Sequence, residues 1–95
     1  MFKINDKKIP GEVLKEEIKK ANISQRELAY RTGYSEKHIS TILSGEKSIS
    51  PDFAKRLEYV FGYGASIWLD LQQNYDLSLV NEKEISSISV KEKEI

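Results

Sequence analysis

Residues 27–45 read ELAYRTGYSEKHISTILSG, and how this stretch is parsed decides the fold. Both sides favour helix, yet Gly33 stands between them, followed by Ser35, Glu36, Lys37 and His38 rather than by further apolar residues. A glycine just past a helix end takes the left-handed conformation that closes the helix. Ser35 is then a ready N-cap, and the chain restarts as a second helix with Ile39, Ile42 and Leu43 as its buried stripe. Upstream, Ser24 followed three residues later by Glu27 has the spacing of a capping box, with Leu28 and Ala29 facing inward. Two helices of about eight residues, joined by a turn of three or four that contains glycine, have the spacing of a helix-turn-helix. The small residue Ala29, four positions before Gly33, lets the two helices cross closely. Ser35, Glu36, Lys37, His38, Ser40 and Thr41 are left to point outward. Short helix–glycine–helix units also occur in all-α domains that never meet DNA, so spacing alone leaves both readings open.

Working outward, Pro10 opens a first helix at the position where a missing N–H costs nothing. Val13, Leu14, Ile18 and Ala21 share one face of it, Glu16 and Lys20 are spaced as an i, i+4 ion pair, and Asn22 ends it. Ser50, Pro51 and Asp52 form the start of a fourth helix, with Phe53, Ala54, Leu57, Val60 and Phe61 inward and Gly62 as its stop. A fifth helix is expected from a Ser66 cap, with Ile67, Trp68, Leu71 and Tyr75 as apolar positions. After Leu77 the pattern weakens, and only ISSISV (85–90) has strand-like alternation. The expected fold is therefore all-α, five helices over residues 10–77, with an extended arm at 1–9 and a flexible or partner-ordered tail at 78–95.

Composition narrows the function. The chain has 95 residues, enough for one small domain. It lacks cysteine, which excludes disulfides and thiolate metal sites, and it has a single histidine. There is no HExxH and no glycine-rich phosphate loop, so no catalytic residue, metal site or cofactor is expected, and an enzyme reading has almost no support. No apolar run reaches the roughly 18 residues a membrane helix needs. Lys/Arg and Asp/Glu balance at 15 each, which argues against a generic polyanion binder. The basic excess sits in residues 1–45, which carry nine Lys/Arg against six Asp/Glu.

Four segments, PGEVLKEEI, ISQRELAYRTGYSEKHISTILSGEKSIS, PDFAKRLEYVFG and SIWLDLQQNYDL, cover most of residues 10–77. Through them the chain resembles the phage-repressor-like (XRE-type) helix-turn-helix family, and within it the HigA-type antitoxins of bacterial toxin–antitoxin modules. The pairing of PGEVL with WLDLQQNYDL is more specific than the helix-turn-helix core. The resemblance implies a cytoplasmic, dimeric DNA-binding regulator that represses its own operon. Its implied partners are a double-stranded operator, a second copy of the chain and a HigB-type ribonuclease toxin. It places Gln25 on a phosphate, and Glu36, Lys37 and Thr41 at base-reading positions. Lys37 suits guanine O6 or N7, Thr41 a thymine methyl, and Glu36 either cytosine N4 or an orienting role toward Lys37 or His38. His38 is a phosphate or base contact or a plain surface residue; Ser35 and Ser40 are phosphate donors, with Ser35 equally a cap; Lys47 suits a backbone contact. Arg26 and Arg31 add positive field, and Arg31 is also spaced to pair with Glu27. Trp68, Leu69, Leu71, Gln72 and Tyr75 on the fifth helix divide between core and a dimer face. Some relatives continue into a zinc metallopeptidase domain, so the front part of such a fusion is one alternative; a protein-interaction module on the same fold is the other.

Overall fold

Serine at three helix starts sets the local architecture. Ser24, Ser35 and Ser50 each adopt extended backbone angles and accept the N–H of the residue three positions on, from Glu27, His38 and Phe53 respectively. The computed structural model describes residues 9–86, which form α1 (Pro10–Lys20), α2 (Gln25–Thr32), α3 (Glu36–Leu43), α4 (Pro51–Phe61), α5 (Ala65–Ser78) and α6 (Glu82–Ile85). No strand occurs among the described residues.

The core is built by one face of each of the first five helices. Leu14, Leu28, Ile39, Phe53, Leu57, Trp68 and Leu71 are all fully buried, and each such side chain contributes roughly 1.5–3 kcal/mol over its exposed state. α4 packs on α5 and α2, while α1 packs on α3 and α5 and α2 packs on α3. The aromatic Trp68 sits between Phe61 and Tyr63, at centroid distances of 6.0 and 6.3 Å.

Gly11 explains why α1 begins as it does. A Cβ there would lie 2.5 Å from the carbonyl oxygens of both Ile42 and Leu43. The start of α1 thus abuts the end of α3 backbone to backbone, and any larger residue would push the two helices apart. The positive end of one helix dipole meets the negative end of the other.

Several expectations are corrected. Within the segment expected as a flexible or partner-ordered tail, Ser78 is the last residue of α5 and Asn81 caps a one-turn α6, so the described residues hold six helices where five were expected. Ile85 closes α6, so the strand-like ISSISV is not a strand where it is described, and its residues 87–90 lie outside the described residues. The proposed arm likewise lies outside them except for Ile9, the N-cap of α1. Ser66 does not cap α5. The N-cap is Gly64, and the Ala65 N–H donates instead to Glu58 Oε1 of α4, at 3.0 Å. Lys20 pairs with Glu17 at 3.3 Å. Glu17 is buried, and the Tyr63 hydroxyl also bonds it, which ties α1 to the α4–α5 loop. Ala21 is exposed and serves as the α1 C-cap, and Asn22 then turns the chain at φ 56°, a conformation asparagine tolerates.

Candidate nucleic-acid interface

The corner between α2 and α3 is built as its sequence demands. Gly33 closes α2 at φ 78°, ψ 10°, and its N–H donates to Ala29 O at 2.9 Å. Ala29 is buried where the helices meet. Thr32, buried at the last position of α2, donates its hydroxyl to Leu28 O at 2.8 Å and so satisfies itself within the helix. The capping box is only half formed. Ser24 caps α2, but the Glu27 carboxylate reaches forward to Arg31 at 2.7 Å instead of back to the Ser24 N–H.

Behind the corner, α3 is fixed from beneath by Ile39, Ile42 and Leu43, all buried. Its outer face carries Glu36, Lys37 and Ser40, all exposed, with Thr41 half-buried at the edge. Gln25 is exposed at the first position of α2. Lys47 is exposed in the loop beyond α3, and its backbone N–H donates to Thr41 O at 3.1 Å, folding the loop back onto the helix end. Gln25, Glu36, Lys37, Ser40 and Lys47 are therefore all open to solvent around the helix-turn-helix. Neither Glu36 nor Lys37 bonds another described residue through its side chain, so the orienting role considered for Glu36 has no contact behind it.

Three expected site residues are partly committed elsewhere. Ser35 uses its hydroxyl oxygen to cap α3. The Thr41 hydroxyl donates to His38 O at 2.7 Å. His38 is not on the fully outward face. Its ring stands edge-on to Tyr34 at 4.4 Å and lies 6.1 Å from Phe53. Desolvation there, with the nearby Lys47 charge, holds the imidazole below its usual range.

The fifth-helix expectation divides sharply. Trp68 and Leu71 are fully buried, and Gln72 is 8% exposed. Gln72 Oε1 accepts the Ile49 N–H at 2.8 Å while its Nε2 donates to Asp76. These three lie within the core of the single chain, whereas Leu69 and Tyr75 remain half-buried. Apolar surface lies further along, at Leu77, Leu79, Val80 and Ile85.

A group around the corner was not read from the sequence. The Arg56 guanidinium of α4 donates to Thr32 O at 2.6 Å and pairs with Asp52 at 3.0 Å. The Tyr34 hydroxyl donates to the same Asp52 oxygen and holds that carboxyl below its usual range. The i, i+4 spacing of Asp52 and Arg56 was the only sequence signal, and it does not name the turn as their target.

Comparison with known proteins agrees with this fold. The helix-turn-helix family profile matches residues 14–68. Virulence-associated protein I of Dichelobacter nodosus is 37% identical over 82 residues, covering 85% of this chain and 75% of that protein. A HigA-family addiction module antidote protein from Coxiella burnetii is 34% identical, superimposes with a TM-score of 0.77, and is matched over 94% of this chain and 95% of that one. The Pseudomonas aeruginosa antitoxin HigA, solved with the higBA promoter, is 31% identical with a TM-score of 0.82, over 88% of this chain and 97% of that one.

Proposed function

The chain belongs to the helix-turn-helix family, among its HigA-type antitoxins, and on that premise we propose that it is a sequence-reading repressor of its own operon that also neutralises a toxin. The observation that carries the DNA reading is α3: a helix with a buried apolar stripe behind a left-handed corner and an outer face of unpaired polar side chains. Such a helix lies in the major groove, with its first residues at base edges.

In this reading, phosphate contacts set the register and α3 discriminates sequence. Gln25, Ser40 and Lys47 bind phosphates, with Ser35 chiefly a cap. Lys37 donates to guanine, and Glu36 accepts from cytosine N4 or selects against other bases by repulsion. Thr41 offers its methyl to thymine, since its hydroxyl is spent on the helix, and His38 sits at the edge of the contact. Because positive and negative residues balance at 15 each, few phosphates are neutralised per subunit, and salt dependence is shallow.

A second copy is needed to reach two successive major grooves, about 34 Å apart. The surface of α5 and α6 that carries Leu69, Tyr75, Leu77, Leu79, Val80 and Ile85 supports dimerisation there. The toxin, by likeness a HigB-type ribonuclease, rests on family membership alone. The protein acts by binding rather than by catalysis, in the cytoplasm where its operator lies. The interaction-module reading is not favoured, because solved relatives of this fold sit on promoter and operator DNA.

The test is a fluorescence anisotropy titration of a labelled duplex taken from upstream of the chain's own reading frame, against a scrambled duplex, at two salt concentrations. Preference for the upstream duplex is expected; equal affinity for both, or none for either, refutes sequence reading. Co-purification with the product of the neighbouring reading frame tests the toxin, and analytical ultracentrifugation tests the dimer.

A further inference from the structure

We infer that Arg56 is a positioning residue for DNA reading: it sets the angle of α3 by gripping both sides of the Gly33 corner, without itself meeting DNA. The inference rests on the DNA-reading proposal and goes beyond it.

The corner needs an external brace. Gly33 has no side chain, and glycine at a left-handed turn leaves the hinge soft. The apolar anchors Ile39, Ile42 and Leu43 hold α3 down, but hydrophobic contact is non-directional and does not fix rotation. Arg56 supplies the directional contacts. Thr32 O is one of the last carbonyls of α2, without a partner inside the helix and at the negative end of its dipole. Arg56 Nη1 donates to it at 2.6 Å. On the other side of the glycine, the guanidinium carbon lies 5.3 Å from the centre of the Tyr34 ring. Asp52 joins the two, because one of its oxygens takes both Arg56 Nε and the Tyr34 hydroxyl. Tyr34 in turn packs on Phe53 at 4.8 Å and on His38 of α3 at 4.4 Å. Rotating α3 about Gly33 therefore breaks the Thr32 bond, the Tyr34 stack, or both.

The consequence is specific. Base contacts tolerate errors of only about 0.5 Å and 10–20°, whereas phosphate attraction tolerates much more. Loosening the brace removes discrimination and leaves bulk attraction intact.

Arg56→Met keeps the aliphatic stem and removes the bonds; Tyr34→Phe keeps the ring and removes only the hydroxyl. Both are titrated against the upstream and scrambled duplexes over a salt series, with thermal melts to establish that each is folded at the assay temperature. Arg56→Met is expected to weaken the upstream duplex about tenfold and Tyr34→Phe about threefold, with scrambled-duplex affinity and the log–log salt slope unchanged. Unchanged upstream affinity in a folded variant overturns the proposal. Equal loss on both duplexes with a slope shallower by about one also overturns it, by making Arg56 a phosphate contact. If Arg56→Met does not fold, Tyr34→Phe decides. A wild-type chain with no preference between duplexes removes the DNA-reading premise and this proposal together; a wild-type preference untouched by either variant removes this proposal alone.

Discussion

Among the described residues, two three-residue turns that begin with glycine join successive helices, and they are made differently. At the first, Gly33 turns at φ 78° between α2 and α3; at the second, Gly62 turns at φ 88° between α4 and α5. The helix after the first corner is capped by its own Ser35, while the helix after the second is capped by Glu58 from the preceding helix. The first corner is gripped from outside, with Arg56 Nη1 3.1 Å from where a Gly33 Cβ would stand; nothing lies within 4 Å of the same point at Gly62. The helix after the first corner turns a polar face outward. The helix after the second sends Trp68, Leu71 and even Gln72 into the core. A local motif thus specifies a bend, and what packs around the bend decides whether the next helix probes the outside or builds the inside.

The largest expected difference between the corners is in stability. Gly33→Val combines left-handed strain with displacement of Arg56 and is expected to cost about 2–3 kcal/mol, read by chemical denaturation. Gly62→Val faces strain alone, about 1–2 kcal/mol. Equal losses would mean that the grip of Arg56 on the first corner is energetically idle.

Next is the difference in exposed faces. Lys37→Ala is expected to lose about 1–3 kcal/mol of binding to the upstream duplex and to relax one base preference. Equal weakening on every sequence would show a phosphate contact only. The matching change on the exposed part of α5, Gln73→Ala, should leave DNA binding untouched.

Capping gives a smaller contrast. Glu58→Gln should lower the melting temperature, and Ser66→Ala should not, because Glu58 rather than Ser66 accepts the first N–H of α5. A drop with Ser66→Ala alone would restore the local cap and erase the distinction between the corners.

The smallest effects are in pH. Glu58 and Asp52 are held below their usual ranges, by the Ala65 N–H and the Tyr34 hydroxyl respectively. Folded pKa values below unfolded ones stabilise above the ordinary carboxylate range, and that contribution is lost as pH falls through the folded values. Glu58→Gln should flatten acid unfolding near the second corner. His38 is also depressed, by desolvation and by Lys47. The unfolded state then binds more protons just below its ordinary value of 6.5, so this contribution falls as pH drops through that value and is complete above it. A nearby phosphate would favour the charged ring. Affinity for the upstream duplex should therefore rise about two- to threefold from about pH 7.5 to about pH 6, and His38→Gln should abolish the rise. A pH-independent affinity in the wild type would place His38 off the DNA.

The legibility of the two corners follows the range of the interactions that make them. Ser24, Ser35 and Ser50 were readable as caps because each bonds the residue three positions ahead, and Gly33 because left-handed closure needs only its own missing side chain. The outward set Glu36, Lys37 and Ser40 was readable because the apolar stripe fixes which side of α3 is buried. Ser66 misled because a serine beside a helix start is a good local candidate, and Glu58 reaches Ala65 from seven residues earlier. For Trp68, Leu71 and Gln72 the sequence left core and dimer face open, because a helix face does not say whether its own chain or a second copy will cover it.

From the string of residues alone, then, came the all-α class, the placement of most helix ends, the bend at Gly33 and the polar side of α3; these depend on hydrogen bonds and periodicities only a few residues long. Packing decided the rest: Arg56 reaching Thr32 across 24 positions, Gln72 reaching Ile49 across 23, and Gly11 pressed against the end of α3. Those partners are distant along the chain, and they meet only once burial of the common core has fixed how the helices lie against one another.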